Sequence, residues 1–245
     1  FVAGGLAVMN WLYGWFVLPE SLPPEKRRPF EWKRANPVAA MRGLAALKGV
    51  GGLVVVIALA ALAQFTMHTS WVLYTTFKFG WGPAQNGASL FAVGVMSALV
   101  QGYLLKHMLK RWPPRTLATV GLMASSATYL GFGLVPEGWM MYIVIIIGTL
   151  LGGGAAASIQ SLVSNAAQAN EQGQTAGSVA SLNSLMAAFA PVVGATLLGL
   201  VSHRPQGDVW IGLPFYFCAL LQALGTVVAI FHFRRAEAAL VAAAA

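Results

Sequence analysis

Apolar residues along the chain fall in blocks of about 20 positions, separated by polar or proline-containing stretches. A helix of that length crosses a ~30 Å hydrocarbon layer and satisfies its own backbone polar groups there. The alternating pattern of membrane-spanning β-strands is absent from the sequence. The pattern therefore predicts an all-α membrane protein with about seven transmembrane helices. The blocks cover residues 1–18, 51–77, 87–106, 116–134, 138–163, 176–202 and 212–232.

The segments outside these blocks define the domain organisation. Residues 19–50 form a basic loop, 51–233 hold a six-helix bundle, and 234–245 form a tail. Within the loop, Asn36 and Pro37 suit the N-cap and first turn of a short helix. We expect that helix to lie flat on the cytoplasmic leaflet, since it has an apolar and a basic face; a calmodulin-type binding helix is the alternative. The chain begins at Phe1 inside an apolar run without the features of a signal peptide, so we expect an N-terminal part to precede it.

The composition supports the membrane prediction. Hydrophobic residues make up 58% of the 245 positions and charged residues 9%, whereas soluble domains carry about 25% charged residues. The formal net charge is +8, but the basic residues are confined to a few segments, so no nucleic-acid partner is expected. The lipid bilayer is the expected partner.

The distribution of Lys and Arg predicts the orientation. Of the 15 basic residues, all but Lys78 and Arg204 lie in 19–50, 106–115 or the tail. Because cytoplasmic loops carry the excess of Lys and Arg, these segments and the 165–175 loop are predicted to be cytoplasmic. The protein is thus expected to be a multi-pass protein of the inner (plasma) membrane.

Three strings carry a family resemblance: NWLYGWFVLPESL at 10–22, WVLYTTFKFGW at 71–81, and NEQGQTAGSVASLNSL at 170–185, followed by Pro191. They resemble parts of the drug/proton antiporters of the tetracycline-resistance type, within the major facilitator superfamily. The resemblance implies twelve helices in two halves, with 1–18 as the sixth helix and 51–233 as the C-terminal half. It also implies proton-coupled drug export by alternating access.

The sequence departs from the family pattern at several positions. Residues 102–111 resemble the G-x-x-x-D-R-x-G-R-R loop motif, but Lys106 replaces the Asp and Leu109 replaces the second Gly. The tetracycline exporters carry an intramembrane His in helix eight and an Asp in helix nine, where this chain has Ser97 and Ser125. The resemblance therefore implies drug export in general rather than tetracycline export.

The residues exclude most catalytic chemistry. No Asp or Glu lies within a helix core, and Cys218 is the only cysteine. No zinc spacing or nucleotide fingerprint occurs, and the glycine run at 152–154 lacks the Lys-Ser/Thr of a phosphate loop. We therefore expect neither an enzyme nor a cofactor. For the glycine run, helix packing or flexing is expected.

One polar stripe stands out in the second block. Gln64, His68, Trp71 and Thr75 fall on one helical face, at i, i+4, i+7 and i+11. Such a stripe on an apolar helix is expected to face a substrate cavity or neighbouring helices rather than lipid. His68 is also a candidate for proton coupling, since imidazole titrates near neutral pH. The alternative is that Gln64 and His68 only make hydrogen bonds between helices.

Polar residues on other helices extend the candidate cavity: Ser97, Gln101, Gln160 and Asn183. Uncharged amides and hydroxyls suit a site for varied amphipathic molecules, although Ser and Gly equally permit close helix packing.

The sequence thus predicts the C-terminal half of a secondary transporter that exports a hydrophobic or amphipathic compound against protons. Its expected partners are a small-molecule substrate and an N-terminal six-helix half. A carrier of a metabolite, such as a sugar or organic ion, is the alternative within transporters. A receptor or scaffold on the same fold is the alternative outside them.

Overall fold

The computed structural model describes residues 2–17, 51–166 and 172–244, and all regular structure in these residues is helical. The all-α prediction is thereby confirmed. The chain divides into two compact units, Phe1–Ala35 and Asn36–Ala245. The interfacial helix predicted within 19–50 lies outside the described residues, as does the centre of the 165–175 loop.

The first unit contributes one described helix, α1 at Val2–Phe16, within the apolar block predicted at 1–18. The other described helices belong to the second unit. They are α2 at Gly51–Phe79, α3 at Pro83–Arg111, α4 at Pro114–Leu134, α5 at Gly138–Gly152, α6 at Ala155–Ala166, α7 at Gln172–Val201 and α8 at Leu213–Ala244.

The described part of the second unit contains six spans that are long and apolar enough to cross a membrane. They are α2, α3, α4, the pair α5 and α6, α7, and α8 together with the 3-10 turn Val209–Gly212 that precedes it. Each span coincides with one apolar block of the sequence, so the six blocks predicted from 51 onwards are confirmed as helices.

Several helices run further than the apolar blocks predict. α3 continues to Arg111, so the loop predicted at 106–115 shrinks to the short connection before α4. That connection contains Pro113, directly before Pro114; proline has no N–H and disfavours helical geometry at the preceding residue, which ends α3. At the C-terminus, α8 continues through the predicted tail to Ala244. Polar residues extend a helix into the aqueous phase, so an apolar block underestimates its length.

α3 also contains a π-helical turn at Val100–Leu104, in which the backbone N–H of Leu105 donates to the carbonyl of Val100. π-Helical turns inside α-helices carry wider i to i+5 hydrogen bonds and concentrate at functional sites. The turn includes Gly102, and a Cβ atom at Gly102 would meet nothing within 4 Å.

The bundle packs around α2 and α4. α2 packs against α7 and α8, and α4 packs against α8, α5 and α6, while α3 packs mainly against α5. Small residues bring α4 and α5 close together. A Cβ at Gly152 would lie 2.8 Å from Ser125 Oγ, and one at Gly148 would overlap Thr128. Close approach through small residues is the usual basis of helix packing in membranes, in agreement with the packing role expected for the glycine run.

Buried apolar residues form two clusters. One includes Trp71, Tyr74, Phe132 and Phe215, close to where α2 and α4 end and α8 begins. We call this the Lys78 end of the bundle. The other includes Leu53, Leu122 and residues of α6, α7 and α8, at the opposite end.

Lys78 is a buried cation. It directly follows the apolar block predicted at 51–77, yet it lies in α2 and is only 3% exposed. Its Nζ donates to the carbonyl of Gly133 at 2.6 Å. The Tyr216 hydroxyl lies 2.9 Å from the same carbonyl and 2.9 Å from that of Val209, and its one proton is donated between them. The Tyr74 hydroxyl donates to the carbonyl of Phe132. The last carbonyls of a helix lack intrahelical partners and carry negative partial charge, so a cation is stabilised there.

Candidate functional site

A cavity of about 570 Å³ lies among α2, α3, α4 and α5. Ligand pockets typically measure roughly 300–1,000 Å³, so the cavity matches a drug-sized molecule. Its lining is mostly apolar and aromatic, with a few hydroxyl groups and one imidazole. The lining residues are Met67, His68, Trp71, Leu90, Val93, Gly94, Ser125, Thr128, Tyr129, Phe132, Ile145, Gly148, Thr149, Gly152 and Gly153.

Two residues of the predicted stripe on α2 line the cavity. His68 and Trp71 lie one turn apart on the same face of the helix, and both line the cavity. The His68 side chain is exposed and the Trp71 side chain is buried. The structure thus brings these two predicted site residues together on one wall.

Trp71 is held in place by contacts on three sides. Its indole Nε1 donates to Ser89 Oγ at 3.1 Å. Its ring packs edge-to-face against Phe132, with centroids 5.1 Å apart, and against Phe215 at 6.0 Å. Aromatic pairs prefer this geometry, which stabilises them beyond their buried area. Trp71 therefore belongs to the core and to the cavity wall at once.

Thr75 continues the stripe but does not line the cavity. Its side chain is fully buried, with Oγ1 2.9 Å from the carbonyl oxygen of Trp71 and 2.7 Å from Asn86 Oδ1. The single hydroxyl proton of Thr75 is donated to one of these oxygens. This residue therefore serves the contact between α2 and α3.

The wall formed by α4 and α5 presents hydroxyl groups. Ser125 Oγ donates to the Gly121 carbonyl at 2.8 Å, and Thr128 Oγ1 donates to the Ala124 carbonyl at 2.7 Å. A hydroxyl has one proton and two lone pairs. Because both protons are used on the backbone, these side chains face a ligand as hydrogen-bond acceptors.

The lining has no permanent charge. None of its residues is Asp, Glu, Lys or Arg. His68 is the histidine among the lining residues, and imidazole is the side-chain group that ordinarily titrates near neutral pH. Within the described residues, no group of His, Cys, Asp or Glu is arranged to hold a metal ion. The cavity is therefore suited to recognising shape, apolar surface and hydrogen bonding rather than charge.

The other predicted site residues lie outside this cavity. Gln64, Gln101 and Gln160 are exposed on the surface of the bundle, and Ser97 and Asn183 are partly buried. Their part in a substrate cavity stays a prediction.

Sequence reasoning missed the contribution of α4 and α5, above all Tyr129, Phe132 and Thr149. A signal was present in α4, where Ser125, Thr128, Tyr129 and Phe132 recur at spacings of three and four residues and so share a face. This face mixes hydroxyl and aromatic groups, as the stripe on α2 does.

A family model described as Major Facilitator Superfamily matches residues 1–191. The match covers most of the chain and includes all four helices that line the cavity. It confirms the resemblance predicted from the three strings.

Individual relatives agree with this match. The chain is 29% identical over 235 residues to "Tetracycline resistance protein, class D" of Salmonella ordonez, covering 93% of this chain and 58% of that protein. It is 27% identical over 213 residues to the class C protein of Escherichia coli, covering 86% and 53%. It is 24% identical over 250 residues to "Hippocampus abundant transcript-like protein 1" of Bos taurus, covering 94% and 49%. The chain thus spans about half the length of the curated relatives it matches.

Proposed function

Because the chain belongs to the major facilitator superfamily, we propose that it forms the C-terminal half of a secondary transporter that exports hydrophobic or amphipathic drug-like compounds. In this proposal the export is driven by protons entering the cell. The half moves against an N-terminal six-helix half and exposes the substrate site alternately to each side of the membrane.

The observation that carries the proposal is the cavity, in a chain similar to tetracycline resistance proteins. Its volume of about 570 Å³ and its aromatic and hydroxyl lining are suited to an amphipathic organic molecule. A sugar site would need many directed hydrogen bonds, whereas here the hydroxyl protons of Ser125 and Thr128 are used on the backbone.

The exposed amides support a partner half. Gln64, Gln101 and Gln160 lie on the surface of helices that are long enough to cross a membrane. A polar group facing hydrocarbon is unfavourable, so such groups generally face a protein interior or a water-filled cavity. We place these amides, with Ser97 and Asn183, on the side that meets the N-terminal half, next to the shared substrate path.

His68 is our candidate for a proton-binding group in this half. It lines the cavity, and no carboxylate does. Protonation of its imidazole would add positive charge beside the bound substrate, which links the two events electrostatically. The further proton carrier of the transporter belongs, in this proposal, to the N-terminal half.

The proposed orientation places the Lys78 end of the bundle on the outer side of the inner membrane and the basic end of α3 in the cytoplasm. Lys78 is buried in α2 and not in a loop, so the loops of the proposed outer side hold even fewer basic residues than the sequence suggests. This strengthens the bias in Lys and Arg on which the orientation rests.

The test is export by the complete transporter in proteoliposomes. We expect an imposed proton gradient to drive saturable movement of an amphipathic dye, and a protonophore to abolish it. Dye movement that continues unchanged without a proton gradient would disprove proton coupling, and no movement of any amphipathic compound would disprove drug export.

A further inference from the structure

We propose that the cavity among α2, α3, α4 and α5 is a complete binding site for uncharged, planar aromatic compounds that carry a hydrogen-bond acceptor. This proposal rests on the proposed function, which it extends in two ways. It specifies the charge of the ligand, and it places the whole site within this chain.

The charge of the ligand follows from the lining. No lining residue carries a permanent charge, so a buried ammonium or carboxylate on the ligand would lose its hydration without gaining a counter-charge. Transferring an unpaired ion from water to an apolar site is far more costly than transferring a neutral molecule. Above pH 7.5, where an imidazole is mostly neutral, His68 does not change this balance.

The acceptor on the ligand follows from the unused donors. Tyr129 and Thr149 line the cavity, and their hydroxyl groups make no hydrogen bond within the described residues. Neither hydroxyl is among the buried atoms that lack a partner and are sealed from solvent. Both can therefore donate to a group inside the cavity. A carbonyl or ether oxygen on the ligand would accept these protons.

The planar shape follows from the walls. Trp71, Tyr129 and Phe132 provide aromatic surface, and Gly148 and Gly152 of α5 add no side chain to the lining, so the aromatic rings dominate the surface that a ligand meets. A flat ring system fills such a space with extensive van der Waals contact, and aromatic pairs add favourable interaction beyond the area they bury.

The site is complete because every lining residue belongs to one unit: all come from α2, α3, α4 and α5 except Gly153, which directly follows α5. No residue of α7 or α8 lines it. Binding therefore needs neither the N-terminal half nor the exposed amides. We expect the 245-residue chain to bind ligand by itself, although it lacks a partner half for transport.

Two glycines of α3 provide a matched pair of variants. Gly94 lines the cavity and Gly87 does not, and a Cβ atom at either position would meet nothing within 4 Å. The positions are two turns apart on the same helix, so Phe at either one has a similar effect on helix propensity. Gly94→Phe places a ring in the cavity, whereas Gly87→Phe leaves the cavity open.

The experiment measures binding of 9-fluorenone to the purified chain in lipid nanodiscs at pH 8. Fluorene lacks the carbonyl, 9-fluorenone-4-carboxylate is anionic, and 9-aminoacridine is cationic. We expect 9-fluorenone to saturate one site and to bind about tenfold or more tightly than either ion. Gly94→Phe should weaken its binding about tenfold or more, and Gly87→Phe less than about twofold.

A second pair of variants tests the donors even if Gly94→Phe does not fold. Tyr129→Phe and Thr149→Val should each lower the preference for 9-fluorenone over fluorene about threefold or more, without reversing the order of the charged probes. An unchanged preference in both variants would overturn the assignment of the donors. Equal binding of 9-aminoacridine, or equal effects of the two Phe substitutions, would overturn the site.

The result can be separated from that of the proposed function. Saturable, Gly94-dependent binding without proton-driven export by the complete transporter would sustain the site and refute the exporter. Proton-driven export by the complete transporter, with no such binding to the chain, would support the exporter and refute the site.

Discussion

The buried ammonium at the Lys78 end allows a quantitative test of how the bundle is held together. Two donor groups on different helices lie within hydrogen-bond distance of the Gly133 carbonyl: the ammonium of Lys78 in α2 and the hydroxyl of Tyr216 in α8. Removing one donor leaves the other, whereas removing both leaves a buried carbonyl without a partner at the end of α4. Lys78→Met and Tyr216→Phe, alone and combined, are therefore expected to be strongly non-additive.

The magnitude follows from these contacts. Lys78→Met loses a charge-assisted hydrogen bond of 2.6 Å but also removes a buried cation, which is costly to bury, so we expect a net loss of about 1 kcal/mol. Tyr216→Phe loses the hydroxyl group, which lies 2.9 Å from the carbonyl oxygens of Gly133 and Val209 and has one proton to donate between them, for about 1 kcal/mol. The double variant adds the desolvation of an unsatisfied carbonyl, about 1–3 kcal/mol beyond the sum.

The assay is equilibrium unfolding in mixed micelles with increasing SDS, followed by circular dichroism. Lys110→Met, which changes an exposed lysine near the end of α3, serves as the control and should change the free energy of unfolding by less than about 0.5 kcal/mol. If the effects of Lys78→Met and Tyr216→Phe add within about 0.5 kcal/mol, the two donors do not share the Gly133 carbonyl, and the reasoning is wrong.

Three further predictions concern packing, coupling and topology. Gly148→Val forces a side chain against α4 and should destabilise the bundle by about 1–3 kcal/mol, whereas Gly199→Val, where a Cβ meets nothing within 4 Å, should have a much smaller effect in the same SDS assay. In the complete transporter, His68→Gln should abolish the pH dependence of export if His68 binds the coupled proton; a substrate profile altered at unchanged pH dependence would leave it only a lining role. A cysteine at Glu137, in the connection between α4 and α5 at the Lys78 end, should react with an impermeant reagent added outside intact cells, and one at Lys110 should not.

Cys218 and His107 are favourable for the topology and coupling tests. Cys218 is buried, so it contributes little background labelling. His107 lies in α3 outside the cavity and its side chain is exposed, so His107→Gln should leave the pH dependence unchanged. Labelling at position 110 but not at 137 would reverse the proposed orientation.

The helices were predictable because bilayer thickness imposes one length on every apolar block, independently of how helices pack. The helix ends were not predictable in this way, because charged residues end an apolar block without ending the helix. Lys78 shows the same limit. A charge usually marks the surface, and only the arrangement of three helices reveals that this one meets the C-terminal carbonyls of α4.

The site was predictable only in part, for a related reason. His68 and Trp71 were found because they repeat with the period of one helix. Thr75 follows the same period but does not line the cavity, since it lies buried between α2 and α3. The period of one helix does not tell which of its residues a neighbouring helix covers. Tyr129 shares a mixed hydroxyl and aromatic face of α4 that the sequence does show, but Thr149 has no such pattern around it, and only the packing of α5 beside α4 reveals that both residues line one cavity.

The π-helical turn of α3 has a consequence for insertions and deletions in the gene. A π-helical turn holds one residue more than the α-helical winding around it, so Val100–Leu104 is equivalent to a single inserted codon. Deleting one codon there would restore regular winding and leave the basic end of α3 pointing in nearly the same direction relative to the cavity-lining part, because the turn absorbs the ~100° that one extra residue would otherwise add. The direction in which Lys106, Lys110 and Arg111 point is thus preserved by the turn, and a one-residue gap at this place in a relative would indicate a regular α-helix with the same direction of its basic end.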